Sequence, residues 1–211
     1  MGMEIAKVLA LSVSLGGPAP EADYWAMEAH FQRQHTEAAC SAASIATALG
    51  ALLEKDVAPR DLLTRVGDSQ WKAQTARDGD GVSFTELERY LRASLRAMGL
   101  ARARVEVFRP RRNDPESLAL LRALLTENVR RRDGDVVLAT FDQGWLLGEH
   151  AVGHVSPIGD YDPATGRVLI MDVDPALPEP YWVKDEDLLA AMNRPDSDDP
   201  SGDGLLVVKA D

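Results

Sequence analysis

The sequence predicts an α+β fold, and three observations carry that expectation. Apolar residues recur at helical spacing in three runs of the first two thirds of the chain: Ser41 to Leu53, Ser83 to Met98 and Pro115 to Arg132. Short apolar or alternating runs follow at Val136 to Phe141, Gly153 to Tyr161, Val168 to Val173 and Leu205 to Val208. Two of these runs are joined by Asp162-Pro163-Ala164-Thr165-Gly166, where Pro presets φ and Gly supplies φ > 0. Helices first and antiparallel strands later define the class. The 211 residues suffice for one domain, read as 1–211, with 194–204 as a flexible acidic linker before the last strand.

The elements follow in order. Lys7 to Gly17 is mildly apolar, too short to span a bilayer and, with Glu4 beside Lys7, a poor signal peptide. It reads as an arm packed on the domain. Pro18 to Asp23 breaks the chain, and Tyr24 to Arg33 reads as a helix. Ser41 to Leu53 is helical, with Ala42, Ile45, Leu49, Leu52 and Leu53 as its buried stripe. Val57 to Val66 is helical with Pro59 in its first turn, and Gly67 to Gly81 reads as a polar loop. Ser83 caps the next helix and Glu86 completes a capping box; Leu87, Tyr90, Leu91 and Leu95 are its stripe.

Val105 to Phe108 alternates as a strand, and Arg109, Arg111 and Arg112 read as a solvated loop. Pro115 to Arg132 ends in three arginines that suit a helix C-terminus. After the buried strand Val136 to Phe141, Asp142 to Val152 reads as a loop into a hairpin. Pairing Tyr161 with Arg167 in that hairpin puts His154 opposite Asp174 and diagonal to Asp172. Asp174 to Val183 reads as a proline-rigid loop, Lys184 to Met192 as a short helix and Leu205 to Val208 as a last strand.

Composition excludes several functions. With 23 Lys+Arg against 34 Asp+Glu, the formal charge of −11 disfavours nucleic acid and anionic membrane as partners. A single cysteine makes no internal disulfide, so a cytoplasmic location is expected. Asp78-Gly79-Asp80-Gly81 has its glycine misplaced for a calcium loop, and Arg89 stands where the final Glu belongs. His150 and His154 are four apart, a spacing that serves zinc only on a helix. No metal site and no resident cofactor are expected.

Four residues can do acyl chemistry. Cys40 falls at a helix start, where the dipole and unpaired N–H groups favour a thiolate. A lone cysteine is by itself more often a small buried apolar residue. The hairpin changes that balance, because alternation puts His154 and Asp172 on one face. A carboxylate beside an imidazole fixes its tautomer for general-base work. Gln34, six residues before Cys40, is placed to donate into an oxyanion hole beside the Cys40 N–H. Cysteine, histidine and aspartate occur in the chain order of papain-like enzymes.

These residues resemble the phytochelatin synthase family. Gln34 with Cys40, Ala43-Ser44 and Leu49-Gly50-Ala51-Leu52 is similar to that family's nucleophile helix. Gly81-Val82-Ser83-Phe84 resembles its Gly-Ile-Ser-Phe segment, and Gly153 to Tyr161 its Gly-His-Phe-Ser-Pro-Ile-Gly-Gly-Tyr. Val168 to Val173, Pro180-x-Trp182-Val183 and Ala190-Ala191-Met192 continue the likeness, which runs from Tyr24 to Met192. Tyr24-Trp25 through Gln34 is most similar to the short bacterial members, which lack the cysteine-rich C-terminal region of the plant enzymes.

The resemblance implies a papain-like fold, its nucleophile helix packed on an antiparallel sheet, and acyl transfer from glutathione. It implies Cys40 as nucleophile, His154 as base and then acid, Asp172 as orienter and Gln34 as oxyanion donor. The partner implied is a small thiol peptide or other small acyl donor, with any divalent metal arriving bound to substrate thiolates; a homodimer is left open. Short bacterial members mainly hydrolyse.

The sequence departs from the family at Ser41, usually Gly, and at Gly50, usually Asn. It has Asp174-Pro175-Ala176 for Ala-Arg-Phe, and Thr36 where the Gln-x-Glu acid falls. Asp174, with Asp160 and Glu179 near in sequence, is expected to bring negative charge to the site. The alternative reading is a papain-like enzyme that forms or cleaves amide bonds in a specialised biosynthetic pathway with another acyl donor.

Overall fold

A computed structural model describes residues 22–131, 134–194 and 202–209. The arm at 7–17 and most of the acidic linker lie outside these residues. Mixed helices and an antiparallel sheet make the fold α+β. Five helices come first: α1 (Ala22–Glu28), α2 (Cys40–Leu53), α3 (Pro59–Val66), α4 (Ser69–Gln74) and α5 (Phe84–Ala97). Then follow β1 (Arg104–Phe108), α6 (Pro115–Arg131), β2 (Val136–Asp142), α7 (Gln143–Leu147), β3 (Gly153–Asp162), β4 (Arg167–Ile170), β5 (Tyr181–Lys184), α8 (Asp185–Met192) and β6 (Leu205–Lys209). Among the described residues no helix is long and apolar enough to cross a membrane.

The six strands form one sheet in the order β1-β6-β2-β3-β4-β5, every neighbouring pair antiparallel. Alternation splits each central strand between two cores. Val136 and Leu138 of β2, with Leu206 and Val208 of β6, pack with α2 to α5. Val137, Ala139 and Phe141, with Leu205 and Val207, pack with α6 and α8 on the other side. The sheet is therefore covered on both faces, which is why β2 is buried throughout and reads as a continuous apolar run. The second helical layer is what the order of elements alone does not convey.

Helix α2 lies deepest. Residues 40 to 50 are all buried, not only the expected stripe. Small side chains make this close approach feasible: a Cβ on Gly50 would come within 2.6 Å of the His30 Cβ. That packing explains glycine where the family has Asn. Helix α5 follows expectation, with the Ser83–Glu86 capping box formed in both directions and Leu87, Tyr90, Leu91 and Leu95 buried.

Five local expectations need correction. The helix expected to reach Arg33 stops at Glu28, because Gln32 N–H donates to Thr47 Oγ1 and Gln34 N–H to the Val173 carbonyl. The 67–81 loop contains α4, capped by Asp68 and burying Trp71. The 142–152 loop contains α7, capped by Asp142. Tyr181–Lys184 is strand β5, paired with β4. Strand β4 ends at Ile170, since Asp172 Oδ1 takes the Asp174 N–H and turns the chain.

The hairpin register differs by one residue at its tip. Asp162, not Tyr161, pairs with Arg167, and Gly166 at φ +64° closes the turn. A bulge between Ile158 and Asp160 removes the shift, so that Ile158 pairs with Ile170 as the expected register requires. His154 itself pairs with Phe141 of β2.

Asp185 ties the far layer to the hairpin. It is 1 % exposed and accepts from Arg122 Nε and Nη2 at 2.7 and 2.9 Å and from the Tyr161 hydroxyl at 2.9 Å. Asp185→Ala leaves the buried Tyr161 hydroxyl without this acceptor. It should cost about 3 kcal/mol in chemical denaturation.

Candidate active site

Cys40 is the first residue of α2 and is 6 % exposed. Its neighbour Ser41 is fully buried, and the Ser41 Oγ accepts the Trp71 indole N–H at 3.0 Å. The departure from glycine at that position thus serves the α2–α4 packing. His154, second in β3, is 5 % exposed. Its Nε2–H donates to Asp172 Oδ1 at 2.8 Å. Cys40 interacts with the imidazole and helps hold its proton. The three residues come from a helix start, a strand start and the segment beyond β4, and the fold brings them together.

Asp172 is held by four donors. Besides His154, the Asp174 N–H reaches Oδ1 at 2.9 Å. Gln143 Nε2–H and the Tyr181 hydroxyl reach Oδ2 at 2.9 and 2.7 Å. Neither Gln143 nor Tyr181 stands out in the sequence. Gln143 opens a five-residue helix inside an apparent loop, and Tyr181 lies in a proline-rich stretch. No periodicity points to either.

The electrostatics favour an ion pair. Burial pushes the His154 imidazole down, but the Asp172 charge and hydrogen bond, with Cys40 beyond, raise it to about 10. Burial pushes the Asp172 carboxyl up, and the imidazole, the Tyr181 hydroxyl and the Asp174 N–H together hold it below its ordinary value.

Gln34 is 8 % exposed, anchored through its N–H on Val173, and its Oε1 is buried without a partner among the described residues. It is not among the residues that line the cleft over Cys40.

A cleft of about 230 Å³ opens over Cys40 and His154. Cavities that engulf drug-sized ligands run from about 300 Å³ upward, so a larger ligand must protrude. Val152 gives one wall an apolar surface, while Glu37, Asp80 and Asp203 supply carboxylates. No Lys or Arg lines it among the described residues. The acidic character expected at the site is present, but from other residues. Asp160 is buried in β3, with one carboxylate oxygen on the Tyr161 N–H, and neither Asp174 nor Glu179 lines the cleft. The Asp174 loop is itself clamped by a cation, since Arg33 donates to the carbonyls of Asp174, Leu177 and Pro178. Thr36 is tied to the end of α4 through the Thr75 carbonyl.

A cysteine at a buried helix start, a histidine bound to a buried aspartate and a small acidic cleft over them define an α+β protein with a cysteine–histidine–aspartate centre. The chain belongs to the phytochelatin synthase family: that family's model, described as phytochelatin synthase, matches residues 11–204. It is a family of glutathione γ-glutamylcysteinyltransferases. No curated protein matches the chain.

Proposed function

We propose that the protein is a papain-like cysteine acyltransferase and peptidase acting on glutathione-like γ-glutamylcysteinyl peptides, chiefly by hydrolysis. The observation that carries this reading is the 2.8 Å His154–Asp172 bond behind Cys40 in the floor of a small cleft. Cys40 Sγ attacks the carbonyl of the substrate's cysteine residue and forms a thioester. His154 gives its proton to the leaving amine, and glycine departs. His154 then takes a proton from water, or from the amino group of a second thiol peptide, as that acceptor attacks the thioester. Asp172 keeps the imidazole in one tautomer and one plane. A divalent metal, where it acts, enters bound to substrate thiolates.

Gln34 is the oxyanion donor in this reading, with the Cys40 N–H. Gln34→Ala should lower kcat by about 10²–10³, the usual effect of one such donor. Wild-type kinetics in that variant would assign the oxyanion hole to other groups.

The cleft favours water over a second peptide. Glutathione carries two carboxylates, and Glu37, Asp80 and Asp203 are among the residues that line the cleft. Like charges raise the cost of that second binding step, while water bears none. The same carboxylates favour a neutral or cationic amine as acceptor, which keeps the alternative of a biosynthetic enzyme with another acyl donor in play. Mass spectrometry at millimolar glutathione, with and without zinc or cadmium, tests both. The expected product is γ-glutamylcysteine with little oligomer. Dominant products of two or more γ-Glu-Cys units would sink the hydrolytic reading, and no glutathione turnover would promote the alternative.

A further inference from the structure

We propose that Gln143 and Tyr181 are positioning residues of this centre, holding the Asp172 carboxylate in the plane and the ionisation state that His154 requires. The inference rests on the catalytic reading of Cys40, His154 and Asp172 and goes beyond it to two residues that never meet substrate.

The argument starts from donor counting. A carboxylate offers about four lone-pair sites. At Asp172 all four are taken: Oδ1 by His154 Nε2–H and the Asp174 N–H, Oδ2 by Gln143 Nε2–H and the Tyr181 hydroxyl. The Asp172 side chain is 0 % exposed, so water cannot replace a missing donor. Rotation about the Cβ–Cγ bond would break bonds on both oxygens, which fixes the carboxylate plane and hence the imidazole.

Gln143 and Tyr181 are 7 % and 6 % exposed, and neither lines the cleft. They act through Asp172. Each is placed from a different side of it. Gln143 N–H donates to the Val152 carbonyl at the start of α7, and Tyr181 pairs with Ile170 across β4 and β5. Both donors are uncharged, so they satisfy Oδ2 without competing with the imidazolium for the negative charge.

The ionisable groups around Asp172 set the signs. These are His154 from β3, Tyr181 from β5, Asp174 two residues on, and Cys40 beyond the imidazole. Burial drives the carboxyl up, and the Tyr181 hydroxyl opposes that. Removing the hydroxyl therefore moves the acid limb of the Cys40–His154 pair to higher pH. A glutamate at position 143 behaves differently. Ionised, it sets a second carboxylate against Asp172; protonated, it donates as the amide does. Gln143→Glu should be impaired at neutral pH and recover in acid.

The test is the rate of Cys40 alkylation by iodoacetamide against pH, read by intact mass. Cys40 is the only cysteine, and the thiolate is the reacting form, so no substrate is needed. Expected are an acid limb at higher pH in Tyr181→Phe and acid recovery in Gln143→Glu. Turnover of glutathione by Tyr181→Phe should fall about tenfold in kcat with KM unchanged, the scale of one charge-assisted hydrogen bond. A lower melting temperature with unmoved pH profiles would make both residues merely structural and overturn the inference. His154→Ala separates the two levels. If it alkylates at neutral pH like the wild type, the catalytic reading itself fails. If it slows while Tyr181→Phe and Gln143→Glu match the wild type, only the inference fails.

Discussion

Cys40→Ser should abolish turnover, by about 10⁴-fold or more, because removing the nucleophile of such a centre costs as much as removing all of it. The serine hydroxyl is the smaller group and a far weaker nucleophile once the thiolate is gone. Folding should survive, since the side chain changes by one atom in a buried site. The check is glycine release from glutathione, alongside intact mass for the acyl adduct on the wild-type enzyme. Ordinary turnover by Cys40→Ala on the true substrate would end the whole reading.

The second large effect is expected at the His154–Asp172 bond. His154→Ala should lose most of kcat, and Asp172→Asn about 10⁴-fold, the loss seen when an amide imposes the wrong tautomer. The structure adds a cost that alternation along a strand does not suggest. Four donors face Asp172, and an asparagine offers an NH₂ in place of one acceptor oxygen. Two of those donors would then meet a donor. Asp172→Asn should therefore also lose stability, by about 3 kcal/mol in denaturation.

The same pair sets the pH profile. With His154 raised to about 10, its imidazolium persists well above the ordinary imidazole range, and the alkaline limb of kcat/KM should lie near that value. The sign for stability agrees. A raised histidine pKa contributes stability that is full below about 6.5 and is lost as pH rises toward about 10. The lowered Asp172 pKa contributes above the ordinary carboxylate range and is lost as pH falls. An alkaline limb near neutrality, measured on glycine release, would contradict the ion pair.

Much of this was legible in local pattern. Helical spacing after Cys40 placed it at a helix start. Alternation through Gly153 to Tyr161 and Val168 to Val173 put His154 and Asp172 on one face. The two side chains do meet, at 2.8 Å, although the turn register was off by one and β4 ends before Asp172. The short elements were less legible. Helices α4 and α7 run six and five residues, too few for a period to show, and each is started by a single aspartate cap.

The sequence by itself determined the α+β class, the helix that Cys40 opens, the β3–β4 hairpin and the negative charge of the chain, since each depends on near neighbours or on composition. Only the tertiary structure decided which acids face the cleft. Asp174 lies two residues from Asp172 yet does not line it, whereas Glu37, Asp80 and Asp203 come from three distant loops. It also decided the environment of Asp172, where Gln143 lies 29 residues away and Tyr181 nine. Those bonds form because α7 and β5 close over one buried carboxylate, and a buried charge must gather its donors from whatever elements meet there.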